Sequence, residues 1–232
     1  MKRGAAAVVA LLMVVVAVVA RSRLDTSKTE TERVKVLCAL IIADACNAWK
    51  DGGANISVGI GDTSQPEPAD TVVIGMEVAT GDLSTTGFGS ATVVTTSPLV
   101  IISRKPAVCA DQRLGCFAKL PGDLAVDRSP DAVAALTAAT AGDADLFDNV
   151  TASRLAGADT STGGKVQNTG IPQAAIMIRA LVGPAAKLAI LEVRPSARIT
   201  VVGFIRTGAA SAAKDLLNDQ GLRNALRNAG WD

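Results

Sequence analysis

Between Val34 and Ile60 the chain passes from strand to helix and back to strand within 27 residues. Val34-Lys35-Val36-Leu37-Cys38-Ala39 is an apolar run of strand length. Ala43, Ala45, Cys46 and Trp49 then recur at helical spacing, Gly52-Gly53 stops the helix, and Asn55-Ile56-Ser57-Val58-Gly59-Ile60 forms the next strand. A helix between two short strands is a crossover, and a crossover makes the strands parallel. Parallel sheets need cover on both faces. The chain is therefore constrained from its start toward an α/β architecture.

The remainder keeps the alternation. After Pro66 and Pro68, Asp70-Thr71-Val72-Val73-Ile74-Gly75 is a third strand; a Gly/Ser/Thr-rich loop over 80–90 leads into a long β run from Ala91 to Ser103. A cysteine-bearing loop from Pro106 to Gly122 and a strand from Asp123 to Val126 follow. Ser129-Pro130-Asp131 opens a helix, with Ser as cap, Pro at the first position and an acid in the first turn. Residues 141–164 are polar and glycine-rich. Ile171 to Val182 is strongly apolar, and Leu188–Val193 and Ile199–Phe204 read as strands. At the end, Ala212, Leu216 and Leu217 share one helical face, Asn218-Asp219-Gln220-Gly221 interrupts it, and Leu222, Ala225, Leu226 and Ala229 resume it. A chain that begins one sheet, leaves it and returns at its end predicts two lobes, with 91–103 and 190–204 as the crossings.

Lys2 and Arg3 precede seventeen uncharged residues, Gly4 to Ala20, and Arg21-Ser22-Arg23 closes them. Residues 1–23 read as a secretory signal or as a retained anchor; both place the fold outside the cytoplasm. Residues 24–32 are a polar linker. Loss of residues 1–20, with Lys2 and Arg3, turns the net charge from +1 to −1. With no basic run, two Trp, four Phe and no Tyr, a nucleic-acid partner is not expected. Cys109 and Cys116 flank six residues that include Gly115 and are expected to form a local disulfide, adding about 2–3 kcal/mol. Cys38 and Cys46 lie in apolar segments and read as two core thiols, a second disulfide being the lesser alternative.

The chain has no His, which removes the usual nucleophile–base pairs, and no Cys-x-x-Cys for a metal. No enzyme activity, cofactor or metal is expected. Thr160-Ser161-Thr162-Gly163-Gly164-Lys165 lacks the first glycine of a phosphate loop and has Val166 where its hydroxyl would stand, so it reads as a plain loop. Asp143, Asp145 and Asp148 lack the Gly and terminal Glu of a calcium loop. Arg104-Lys105 read as exposed charges at the end of a strand.

Several segments resemble, in order, the type II periplasmic (extracellular) solute-binding proteins, most closely their molybdate-binding branch. They are the β-α-β start Val34–Val58, Pro68-Ala69-Asp70-Thr71-Val72-Val73, the crossing Thr95-Thr96-Ser97-Pro98-Leu99-Val100-Ile101-Ile102, Gly170-Ile171-Pro172-Gln173-Ala174-Ala175-Ile176, and the Gly230-Trp231 finish. The resemblance implies two lobes, each a mainly parallel sheet flanked by helices: 33–98 with 195–232, and 99–194. It implies closure of these lobes on a small polar or anionic solute for a membrane transporter or sensor, with hydroxyls and backbone N–H groups at helix starts holding an oxyanion. Carried onto this chain, the ligand residues would be Thr63, Ser64, Thr96, Ser97 and Gln173.

The ligand loops depart from the family pattern. Leu40-Ile41-Ile42 stands where a serine is expected, Asp62 would repel an anion, Pro66 and Pro68 follow at once where a helix should begin, and Gln173 and Ile178 replace an Asp and a Tyr. These departures support an alternative, a degenerate solute-binding fold serving as a membrane-proximal interaction or structural module.

Overall fold

The computed structural model describes residues 33–103, 114–118, 124–127, 129–141, 174–182, 189–194, 196–209 and 211–232. The segment 1–32, the 141–164 loop beyond Ala141, Arg104-Lys105, Cys109 and Gln173 lie outside the described residues.

The β-α-β start forms as expected. Strand β1 (Val34–Ala39) passes through a 3-10 turn (Leu40–Ile42) into α1 (Ala43–Asp51) and returns in β2 (Ile56–Gly61). Strand β3 (Val72–Met76) leads into α2 (Glu77–Thr80), a single turn, and then the long β4 (Thr92–Ser103). A short helix α3 (Leu114–Ala118), β5 (Leu124–Val126), α4 (Pro130–Ala139), β6 (Ala174–Ile178), β7 (Ala189–Glu192) and β8 (Arg198–Ile205) follow. Helices α5 (Ser211–Leu216) and α6 (Gln220–Asn228) end the fold. The break expected at 218–221 is shorter than its sequence: Asp219 caps α6, so Gln220 and Gly221 already belong to it.

One sheet runs β2-β1-β3-β8-β4-β6-β5, with β7 also pairing β4. Parallel pairing holds in β2-β1-β3 and in β5-β6, whereas β8 and β4 run antiparallel to their neighbours. The mixed character comes from the chain leaving and re-entering the sheet through β4 and β8. Strand β4 changes partners along its length. Thr92 to Pro98 pair with β8, and Leu99 to Ser103 pair with β6 and β7.

The central strands are apolar on consecutive residues because both faces are covered. Val36, Cys38, Val72, Ile74, Leu99, Ile101, Ile199 and Val201 join the main core with α1, α4 and α6, while Val73, Val202 and Phe204 pack with Leu83 and Phe88. Gly203 sits where Leu217 presses on the sheet. The indole of Trp49 on α1 donates to Asp219, whose other oxygen accepts from Gly221 N. The tail is stitched to β4 through reciprocal backbone bonds of Asp232 with Thr96, and Trp231 is 2 % exposed.

Cys38 and Cys46 correct the thiol reading: they form a disulfide, with 6.6 Å between their Cα atoms. Cys38, one residue before the end of β1, faces the core, and the 3-10 turn brings the first turns of α1 back over it, so the two sulfurs meet at a sequence separation of eight. Cys116 is also disulfide-bonded.

Candidate functional site at the strand ends

From β1 the chain goes to β2 on one side and to β3 on the other. In open α/β sheets such a reversal leaves a crevice at the carboxyl ends of the strands, and ligands bind there. Three chain segments meet this end: the turn after β1, the loop after β2, and α2 after β3.

The turn after β1 is apolar: Ile41 and Ile42 are buried in the main core, and Leu40 is 45 % exposed. In the loop after β2, Asp62 Oδ1 accepts from Ser64 N (2.9 Å) and Ser64 Oγ (2.7 Å). This is a self-contained turn built by a short acidic side chain. The two bonds, the hydroxyl's first, hold the Asp62 carboxyl below the usual carboxylate range. Thr63 turns inward, 4 % exposed, and its hydroxyl bonds that of buried Thr80 at 2.9 Å. A methyl on Gly75 would collide with both hydroxyls. A glycine inside a strand marks such a close approach.

Opposite α2 stands the start of α4. Ser129 caps α4 by accepting from Ala132 N (3.4 Å), and Asp127 Oδ1 accepts from Ser129 N (2.8 Å). Asp131, in the first turn, reaches across. Its carboxylate accepts from Val78 N (2.7 Å) and Ala79 N (2.9 Å) at the start of α2. Burial pushes the Asp131 carboxyl above its ordinary value; the two N–H groups offset part of this, and the Glu77 charge adds to it.

The expected ligand residues are distributed between two places. Thr63 and Ser64 follow β2. Thr96 and Ser97 lie on β4, where Thr96 Oγ1 accepts from Arg198 (2.8 Å to Nη2) and fully buried Ser97 Oγ accepts from Ala180 N (3.1 Å). All four hydroxyls have protein partners. Sequence reasoning missed Thr80 and Asp131 as site residues. Gly75 was the available signal for the first, and the second had none, since an acid in a first turn ordinarily serves its own helix. A concavity of about 450 Å³ lies where β4 changes partners, lined by Pro98, Val100, Ile190, Arg179, Arg227 and Glu192. Among the described residues, neither arginine lies within ion-pair distance of a carboxylate, and no cluster of three His, Cys, Asp or Glu could hold a metal.

No family model and no curated protein matches the chain. Solved structures do. Peb3 from Campylobacter jejuni aligns with a TM-score of 0.56 at 12 % identity over 85 % of this chain and 98 % of its own, and its L-phospholactate-bound form aligns at 0.58. The substrate-binding domain of a putative molybdenum ABC transporter from Clostridium difficile gives 0.56 at 12 % identity, over 86 % and 97 % of the two chains. The sulfate-binding protein SubI from Mycobacterium tuberculosis gives 0.59 at 11 % identity, over 85 % of each. At these identities the likeness establishes the fold, which is that of the type II periplasmic binding proteins.

Proposed function

We propose that the protein is an extracytoplasmic solute-binding protein that takes a small polar or anionic solute between two lobes, 33–98 with 195–232 and 99–194, and presents it to an ABC-type transporter or a sensor. The observation that carries this reading is the meeting of α2 and α4 start to start at the carboxyl ends of the strands, one helix from each part of the sheet. Solved structures of this fold include proteins described as sulfate-binding and as the substrate-binding domain of a putative molybdenum transporter, and one was solved with L-phospholactate. The Cys38–Cys46 disulfide supports a non-reducing compartment. No catalytic role is proposed, since the chain lacks the histidine of the usual nucleophile–base pairs.

Thermal unfolding of the chain against oxyanions, sugars and amino acids tests the reading. A solute at a hundred times its Kd adds about 2.7 kcal/mol to stability. For a chain of this size that raises Tm by roughly 5–10 °C. A flat response across the panel would sink the reading.

One observation favours a second reading, a binding-protein fold turned to protein interaction. Leu40, Ile60 and Val78, from three adjacent strand ends, are exposed by 45, 36 and 49 % where hydroxyls would suit a polar solute. This reading expects the flat panel, and loss of a membrane-protein partner when Leu40 and Val78 are both changed to Ser.

A further inference from the structure

The concavity where β4 changes partners lies on the opposite face of that strand from the main core. Leu99 and Ile101 join the core with Ala132 and Leu136, and Val100 between them packs on the other side. Residues directly opposite in an antiparallel pair share a face. Glu192, paired with Val100, and Ile190, two residues before it, therefore stand on that side as well. Pro98, Val100 and Ile190 give the concavity an apolar lining, and Arg179, Arg227, Glu192 and Asp232 give it charges. At about 450 Å³ it has the size of a small-molecule site.

Its frame is held by the fold. Ser97 Oγ accepts from Ala180 N and fixes the turn that carries Arg179. The tail after α6 passes so close to this turn that a methyl on Gly230 would meet Ala180 O at 3.2 Å. Gly230 N donates to Arg227 O, and Asp232 and Thr96 exchange backbone bonds. The charged side chains themselves are left over. Among the described residues, none of the four lies within ion-pair distance of an opposite charge, and Arg179 makes one long bond, 3.5 Å, to Val182 O.

Free charges of both signs around an apolar lining select a class of ligand. An inorganic anion would meet the two arginines, but Glu192 and Asp232 would repel it and the apolar lining would stay bare. A zwitterion with an apolar group suits all three parts. We propose that this concavity is a binding site for a free amino acid with an apolar side chain. Its carboxylate is held by Arg179 and Arg227, its ammonium by Glu192 and Asp232, and its side chain by Pro98, Val100 and Ile190. This site shares no residue with Thr63, Ser64 or the α2 start, and it does not rest on the solute-binding reading.

Calorimetric titration of the full chain with L-leucine and L-phenylalanine tests it. N-acetyl-L-leucine, which lacks the ammonium, and L-leucinamide, which lacks the carboxylate, are titrated beside them. The four charged side chains are exposed, so variants at them should keep the wild-type urea midpoint. At least one of the two amino acids should bind the wild type, with both blocked forms of leucine at least tenfold weaker than leucine. Arg179→Met and Arg227→Met should each weaken the amino acid at least tenfold, and Glu192→Gln severalfold. Absence of binding by both amino acids overturns the proposal, as does binding that survives the two arginine changes together, or equal affinity for free and N-acetylated leucine. Ser64→Ala separates this site from the solute reading. Amino-acid binding that is lost in Ser64→Ala and kept in Arg179→Met overturns this site and supports the solute reading. A Tm response to an oxyanion or a sugar, with no amino acid bound, overturns this site alone.

Discussion

The helix layer and the strand-end crevice of this fold are closed by different means. Over the sheet, α1, α6 and the tail are joined by apolar burial: Trp49, Leu217, Leu222, Leu226 and Trp231 share one core, and a glycine at 203 makes room for Leu217. At the strand ends the surfaces meet through polar groups, Thr63 on Thr80 and Asp131 on two backbone N–H groups. Apolar closure is non-directional and has no titrating group in it. Polar closure depends on geometry and charge. The helix layer should therefore set global stability, and the crevice should set what can open.

The largest effect is expected in the helix layer. Trp231→Ala removes a side chain 2 % exposed and should cost about 3–5 kcal/mol, read as a lower urea midpoint with an unchanged slope. Separating Cys38 from Cys46 by a Cys-to-Ala pair should cost about 2–3 kcal/mol, the chain-entropy value for so short a loop. Gly203→Ala should cost about 1–3 kcal/mol, because the new methyl meets the side chain of Leu217, in the turn between α5 and α6, which must give way. If these three cost less than Asp131→Asn, the contrast between the two regions fails.

What the sequence disclosed follows the same division. The β-α-β start, the long β4, the Ser129 cap and the two terminal helices were all legible, because each is written in neighbouring residues through period, cap or breaker. The mixed sheet was legible only in part: nothing local says that β8 inserts between β3 and β4. The Cys38–Cys46 bond was read as two core thiols because both cysteines lie in apolar segments; the intervening turn sets the approach. Asp131 was legible as part of a helix start and illegible as a tie, since its donors lie 52 and 53 residues back. Ser97 offered a hydroxyl at a crossing, and only the structure shows that the turn after β6 brings Ala180 N to it.

The crevice predicts a pH dependence of its own. Burial raises the Asp131 carboxyl in the native state, with the N–H groups offsetting part of the rise and Glu77 adding to it. The native protein thus holds that proton more tightly than the unfolded chain. The stability this contributes is fully present below the ordinary Asp value near 3.9 and is lost as pH rises through the raised native value. Wild type compared with Asp131→Asn, by urea unfolding at each pH, should therefore lose relative stability across that window. A difference that stays flat or grows with pH would mean that the carboxyl is not held above its ordinary value, and that the N–H groups outweigh burial.

The smallest effect lies in the loop after β2, and it bears on the solute reading. Asp62 is exposed and has the opposite sign from Asp131: the Ser64 hydroxyl and then the Ser64 N–H hold its carboxyl below the ordinary value. What it contributes is present above the unfolded value and lost as pH falls through the native one, and exposure keeps it too small to see in unfolding. Carbon-detected NMR titration of the carboxyl can see it. Ser64→Ala should move the Asp62 midpoint upward, because the larger of its two bonds is gone. A solute that uses Ser64 must take the same hydroxyl from Asp62, so saturating amounts should move the wild-type midpoint in the same direction and leave that of Ser64→Ala where it was. A midpoint that ignores a solute known to raise Tm would place that solute away from Ser64. The concavity lined by Arg179 and Arg227 would then be the next place to look for it.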